Sequence, residues 1–194
     1  MTEPEPIPAD DFLGIKGLRY QPELLSATEQ VHVLAEIDAL PWQTDLKRRV
    51  QHYGYRYDYK ARRVDHSMHL GPLPSFAGEI AELLIARSLI TQMPDQAIIN
   101  EYLPGQGISA HVDCEPCFGE TISTVSLGWA YEMEFSSVEL PVTTRSISLE
   151  LGSALVMSGE ARHVWRHGIK SRKQDRGVPR QRRVSITFRN VLLD

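Results

Sequence analysis

The sequence predicts an α+β fold that is mainly β, a helical layer packed on a small β-sandwich or barrel. Three observations point there. Apolar residues recur at helical spacing in two windows of the first half. From about residue 96 the pattern changes to short runs rich in β-branched residues, and turn signals such as "PGQG" and "LGS" separate those runs.

In chain order, the start "MTEPEPIPADD" is acidic and proline-rich, and residues 1–11 are expected to form a mobile tail. It has neither the basic n-region nor the apolar segment of a signal or transit sequence. Residues 12–194 then fit one domain, long enough for one substantial core. Residues 26–40 read as a helix, opened by the capping-box spacing Ser26 to Glu29 and closed before Pro41. Around residues 42–66, Tyr53, Tyr55, Tyr57 and Tyr59 alternate with other residues, which predicts a strand with one tyrosine face. Residues 75–91 predict a second helix, with Phe76, Ile80, Leu83, Leu84 and Ile90 on one side. "AIINEYL", "TISTVSLG", "EMEFS", "SISLEL", "ALVMS" and "RRVSITFRNV" are each of strand length. No apolar run approaches the length of a membrane span, so no membrane partner is expected.

The formal charge of −4 argues against a generic DNA-coating protein, but the basic residues are clustered. Residues 47–63 hold seven Lys/Arg against Asp58, and residues 162–183 hold nine against Asp175. Together they contain 16 of 21 basic residues, the footprint of a polyanion site on an acidic body.

"AHVDCEPCF", residues 110–118, carries two candidate chemistries. His111 and Asp113 are two apart, so an extended segment puts both on one face. With a histidine from "RHVWRHGI", either His163 or His167, they would make the two-His, one-carboxylate facial triad of non-haem Fe(II) oxygenases. Cys114 and Cys117 form a C-x-x-C, but no second such pair exists to complete a zinc site. A redox pair prefers a helix N-terminus, whereas this one follows the His-x-Asp segment. The cysteines are therefore expected to be reduced bystander thiols in a loop, consistent with a cytoplasmic location.

On the last predicted strand, Arg183, Ser185, Thr187 and Arg189 share a face of an otherwise apolar segment. Two arginines there need an anion, and a dicarboxylate meets guanidinium groups bidentately. Asn100 and Tyr102, also two apart, offer an amide and a phenol to the same anion.

In order, "NEYLPGQGISAHVD", "ISTVSLG", "LVMSGEARHVWRHGI" and "RRVSITFRN" resemble the AlkB family of Fe(II)- and 2-oxoglutarate-dependent dioxygenases. Their wording is nearest to the AlkB-type domain that hydroxylates a tRNA wobble uridine, and "QHYGYRY" resembles that subgroup's substrate lid. The resemblance implies a double-stranded β-helix (jelly roll) over about residues 96–194, with an N-terminal helix and a hairpin lid at about 42–66. It implies His111, Asp113 and His167 as ligands of Fe(II), favouring His167 over His163 because His167 lies in "HGI". It places Tyr102 and Arg183 on the distal carboxylate of 2-oxoglutarate, and Asn100 and Arg189 near its metal-binding end. Where DNA-repair members carry Asn two residues after the first arginine, this chain has Ser185. Substrate contacts are expected from Tyr53, Tyr55, Tyr57 and Glu115.

The implied activity is oxidative demethylation or hydroxylation of a base in single-stranded DNA or RNA, tRNA included, by a monomer. An N-methyl substrate would release formaldehyde. The alternative is a 2-oxoglutarate-dependent hydroxylase or demethylase of a protein or small molecule.

Overall fold

A computed structural model describes residues 11–44 and 47–193. The predicted mobile tail falls almost wholly outside them, as do residues 45 and 46 of the lid; Asp11 pairs with Leu18 in an isolated bridge. Among the described residues there are three α-helices: α1 (Ala27–Asp38), α2 (Ser75–Ala86) and α3 (Gly159–His163). Twelve strands accompany them: β1 (Leu18–Gln21), β2 (Val50–Tyr53), β3 (Gln96–Tyr102), β4 (Ile108–His111), β5 (Ile122–Leu127), β6 (Tyr131–Ser137), β7 (Thr144–Leu149), β8 (Ala154–Met157), β9 (Trp165–Ile169), β10 (Gln174–Asp175), β11 (Val178–Pro179) and β12 (Arg183–Arg189).

The strands form a six-stranded sheet, β1-β8-β5-β12-β3-β2, and a four-stranded sheet, β4-β9-β6-β7, with β10 and β11 paired apart. Every pairing between these strands is antiparallel. Two antiparallel sheets of this kind are the expected jelly roll.

Period-two alternation builds both sides of the large sheet. Along β12, Val184, Ile186 and Phe188 pack with Val33 and Ile37 of α1 and Phe76, Ile80 and Leu84 of α2. The odd positions, Arg183, Ser185, Thr187 and Arg189, line the cavity inside the jelly roll. A second core inside the roll joins Leu155 and Met157 of β8 to Tyr131, Met133 and Phe135 of β6 and Ile169 of β9.

The capping box forms as expected: the Glu29 amide donates to Ser26 Oγ, and the Ser26 amide donates to Glu29 Oε2 at 2.7 Å. α2 stops at Ala86, earlier than the apolar spacing suggests, and Ser88 turns to φ +56°. Ile90 is still buried, because the chain folds back onto the core after the turn.

The lid departs most from expectation. Only Val50–Tyr53 of it are a strand: β2 pairs with β3 at the edge of the large sheet. At Gly54 the backbone takes φ +74°, and a Cβ there would collide with the Asp95 carbonyl. Beyond it the chain is a loop closed by the bridges Tyr55–His69 and Asp58–Arg63. The glycine ends the alternation, so the tyrosines do not share a face.

Candidate active site

The two sheets enclose a cavity of about 900 Å³ with residues of both on its wall. β4 and β9 pair in a register that sets His111 opposite His167, with ring centroids 4.5 Å apart. Asp113 follows the end of β4 and is 6% exposed. Ligand-capable atoms of His111, Asp113 and His167 all lie within 4.8 Å of one another.

Burial by itself would raise the Asp113 carboxyl pKa, but Arg189, His167 and His111 outweigh it and hold the group well below the usual carboxylate range. Arg189 donates to Asp113 Oδ1 from Nη2 at 2.7 Å and from Nε at 3.1 Å. Asp113 Oδ2 is buried with no hydrogen-bond partner and lies 3.5 Å from His167 Nε2. Burial pushes His167 down to about 4, so its imidazole is neutral at pH 7. His111 Nδ1 lies 2.8 Å from the Ser109 carbonyl, which can only accept, leaving Nε2 with its lone pair. One unsatisfied carboxylate oxygen beside two imidazoles is a donor set for a divalent cation, and this constellation suits Fe(II). His163 is not part of it: it ends α3 and faces Glu120 at 3.1 Å and Glu115 at 3.5 Å.

These protonation states carry a stability consequence. Between pH 6.5 and about 4 the unfolded chain protonates His167 and the folded, metal-free chain does not. Stability is therefore expected to fall as pH drops through that window, by on the order of 3 kcal/mol from this residue. Asp113 extends the loss at still lower pH, because its folded pKa is depressed. Urea unfolding of the metal-free protein at pH 7, 5.5 and 4, beside His167→Gln, measures it; equal slopes in both would refute the assignment.

The rest of the cavity attracts anions. β12 and β3 pair Arg183 with Tyr102 and Ser185 with Asn100, so all four side chains line the cavity. Arg183 is 1% exposed and has no carboxylate partner among the described residues. Its Nη2 donates to Ser126 Oγ at 2.8 Å, its guanidinium lies 5.3 Å from the Tyr102 ring centre, and its Nε is unsatisfied. Arg189 Nη1 is likewise buried and unpaired. Two guanidinium groups with free N–H bonds beside a cation site fit a dicarboxylate that reaches the metal with its other end. Asn100 is committed in part, its Oδ1 accepting from Arg48 Nε at 2.8 Å.

The expected substrate contacts divide. Tyr57 lines the cavity, as does Tyr59, with their rings 5.0 Å apart. Tyr53 instead packs on Phe76 and donates to Gln51 Oε1, and Tyr55 packs on His69. Neither is on the cavity wall. Glu115 also lies outside it, because the chain turns directly after Asp113 and sends that side chain to His163.

Part of the basic clusters is neutralised. Arg180 and Arg172 hold Asp175, Arg176 holds Glu132, Lys170 holds Glu134, and Arg49 and Arg182 hold the buried Glu101. Lys47, Arg48, Arg62 and Arg166 remain on the cavity wall, drawn from both windows. Nothing in the spacing of the basic residues marked these four as cavity residues; the fold places them there.

The cysteines are not the free thiols expected. Cys114 and Cys117 are joined in a disulfide and buried. The turn after Asp113 folds through Cys117 and Phe118 amides that both donate to the Cys114 carbonyl, bringing the sulfurs together. Their pairing removes the argument for a reducing compartment. Arg162, which sequence reasoning passed over, is 2% exposed and spans this turn. It donates to the carbonyls of Asp113 (3.1 Å), Cys114 (3.3 Å), Phe118 (3.4 Å) and Gly119 (3.4 Å).

A family model, the 2OG-Fe(II) oxygenase superfamily, matches residues 17–189. The chain is 38% identical over 167 residues to tRNA (carboxymethyluridine(34)-5-O)-methyltransferase ALKBH8 of Mus musculus, covering 82% of this chain and 25% of that protein. It therefore spans about a quarter of that relative's length. It is 33% identical over 155 residues to alpha-ketoglutarate-dependent dioxygenase AlkB of Salmonella typhimurium, covering 79% and 68% of the two chains. The solved structure of OsALKBH1 superposes with a TM-score of 0.67 at 19% identity, over 90% of this chain and 96% of that one, a likeness of fold.

Proposed function

The chain belongs to the 2OG-Fe(II) oxygenase superfamily and, within it, to the AlkB family, and from that premise we propose that it is an Fe(II)- and 2-oxoglutarate-dependent dioxygenase oxidising a base in DNA or RNA. The observation that carries this reading is the pairing of unmet needs in one cavity. A buried carboxylate oxygen of Asp113 lacks a cation, and N–H groups of Arg183 and Arg189 lack an anion.

In this reading His111, Asp113 and His167 hold the iron. Arg183 and Tyr102 hold the distal carboxylate of 2-oxoglutarate, and Asn100 and Arg189 border its other end. When bound, iron and 2-oxoglutarate together use O₂ to oxidise a C–H bond, with succinate and CO₂ as by-products. The chain's part is placement. Arg189 fixes the Asp113 carboxylate by two donors, and the Ser109 carbonyl fixes the His111 ring. Ile122, Met133, Leu155 and Met157 on the cavity wall exclude water. Tyr57 and Tyr59 offer faces to an unstacked base, while Lys47, Arg48, Arg62 and Arg166 offer charge to its phosphates.

tRNA is the first substrate to try, because the mouse relative is named for a tRNA uridine. The same reading has the protein acting as a monomer in the cytoplasm, to be checked by light scattering and by fractionation. The test incubates the protein with Fe(II), ascorbate and 2-oxoglutarate over a panel of tRNA and methylated single-stranded DNA and RNA. Succinate formation above the uncoupled background and a changed modified nucleoside by mass spectrometry are the expected result, with binding that weakens steeply in salt. Succinate without stimulation by any member of the panel would remove the nucleic-acid substrate and favour a protein or small-molecule one. No succinate at all would remove the dioxygenase reading.

A further inference from the structure

The C-x-x-C has no part in the chemistry above, yet it sits where the metal-site turn meets the lid. Both sulfurs lie 3.3 Å from the carbonyl oxygen of Arg62. That residue lies in the loop turn bridged by Asp58 and Arg63 and is on the cavity wall. Arg62 holds φ +50°, a conformation that a residue with a Cβ keeps only where its surroundings enforce it. The two sides of the turn are not anchored alike. Arg162 grips its inner side through four carbonyls, including that of Asp113. On the lid side, the sulfurs are what meets the Arg62 carbonyl.

We propose that Cys114 and Cys117 are a reversible oxidation site that fastens the substrate lid as two thiols and loosens that contact as a disulfide. A thiol is a hydrogen-bond donor and a disulfide sulfur is not. Reduced, the pair presents two S–H groups to one carbonyl with two lone pairs. Oxidised, as in this structure, it leaves that carbonyl without a donor from either sulfur. Cys114 lines the cavity, so a small oxidant reaches the pair from there. With a hydroperoxide as oxidant, the thiols lose two protons and two electrons as the S–S bond forms. The O–O bond breaks, giving water and an alcohol, or two waters from hydrogen peroxide. Exchange with an external dithiol restores the thiols. Because Arg162 holds the Asp113 side independently, the change is transmitted to the lid and the iron site is spared.

The substrate part of this inference rests on the proposed function; the lid part does not, and the test separates them. Hydrogen exchange over residues 55–69 is compared in metal-free protein treated with hydrogen peroxide or with dithiothreitol, with the thiol state read by intact mass. Exchange at 58–63 is expected to rise about five-fold on oxidation, the order of one weak hydrogen bond, and to reverse with dithiothreitol. A Cys114→Ser, Cys117→Ser double variant keeps two donors and should match the reduced protein while ignoring peroxide. A Cys114→Ala, Cys117→Ala double variant has none and should match the oxidised protein, again without response. In turnover, oxidation should raise the KM for a nucleic-acid substrate by a similar factor while leaving Fe(II) affinity unchanged. Equal exchange in the two redox states, or an alanine variant that behaves like the serine one, would overturn the latch. If no nucleic acid stimulates turnover, the substrate reading fails and the exchange experiment still decides the latch.

Discussion

Asp113→Ala is expected to remove Fe(II) binding and reduce 2-oxoglutarate turnover to background. Two roles end together. The unsatisfied Oδ2 is the one anionic donor in the triad, and without it two imidazoles must hold a divalent ion alone. Oδ1 also neutralises Arg189, whose guanidinium would be left buried at a cost of about 3 kcal/mol. The alanine variant should therefore lose stability in the metal-free state as well as activity. Asp113→Asn separates the two, since its amide oxygen can still accept from Arg189 while carrying no charge for the metal. It is expected to fold near wild-type stability and still fail to bind. Calorimetric titration with Fe(II) under anaerobic conditions, beside urea unfolding, reads both; turnover retained by either variant would refute Asp113 as a ligand.

Arg183→Met should have effects of opposite sign on stability and on function. Burial lowers the pKa of Arg183, the signature of a charge held away from water, and among the described residues its one side-chain hydrogen bond goes to Ser126. Replacing an unpaired buried cation by an apolar side chain of similar length should stabilise the metal-free protein by about 1–3 kcal/mol. The same change removes the charge that meets the distal carboxylate of 2-oxoglutarate. Losing one partner of a buried charged pair costs about 2–5 kcal/mol, so the KM for 2-oxoglutarate should rise roughly 30-fold or more. Thermal unfolding and turnover against 2-oxoglutarate concentration test the pair. A destabilised variant with unchanged KM would mean that Arg183 braces the sheet and does not bind the co-substrate.

The site was legible wherever it depends on local period. His111 and Asp113, Asn100 and Tyr102, and the odd positions of β12 were readable because a strand turns alternate side chains to one face whatever lies beside it. The lid tyrosines were misread on the same ground: the alternation is in the sequence, but Gly54 takes a positive φ and ends it. Glu115 failed for a related reason, because the extended segment does not continue past Asp113.

The jelly roll was implied by the family resemblance; by itself the sequence determined the short strands, the capped first helix and which candidate metal and anion ligands share a strand face. These follow from backbone geometry and from side-chain chemistry over a few residues. Only the tertiary structure decided that β4 and β9 pair His111 with His167, and that acidic partners hold part of the basic clusters while Lys47, Arg48, Arg62 and Arg166 line the cavity. It also decided that Arg162 and the C-x-x-C clasp the turn behind Asp113 from its two sides. Each of those outcomes joins residues tens of positions apart, where register and burial are set by the packing of the whole core and no local pattern records the partner.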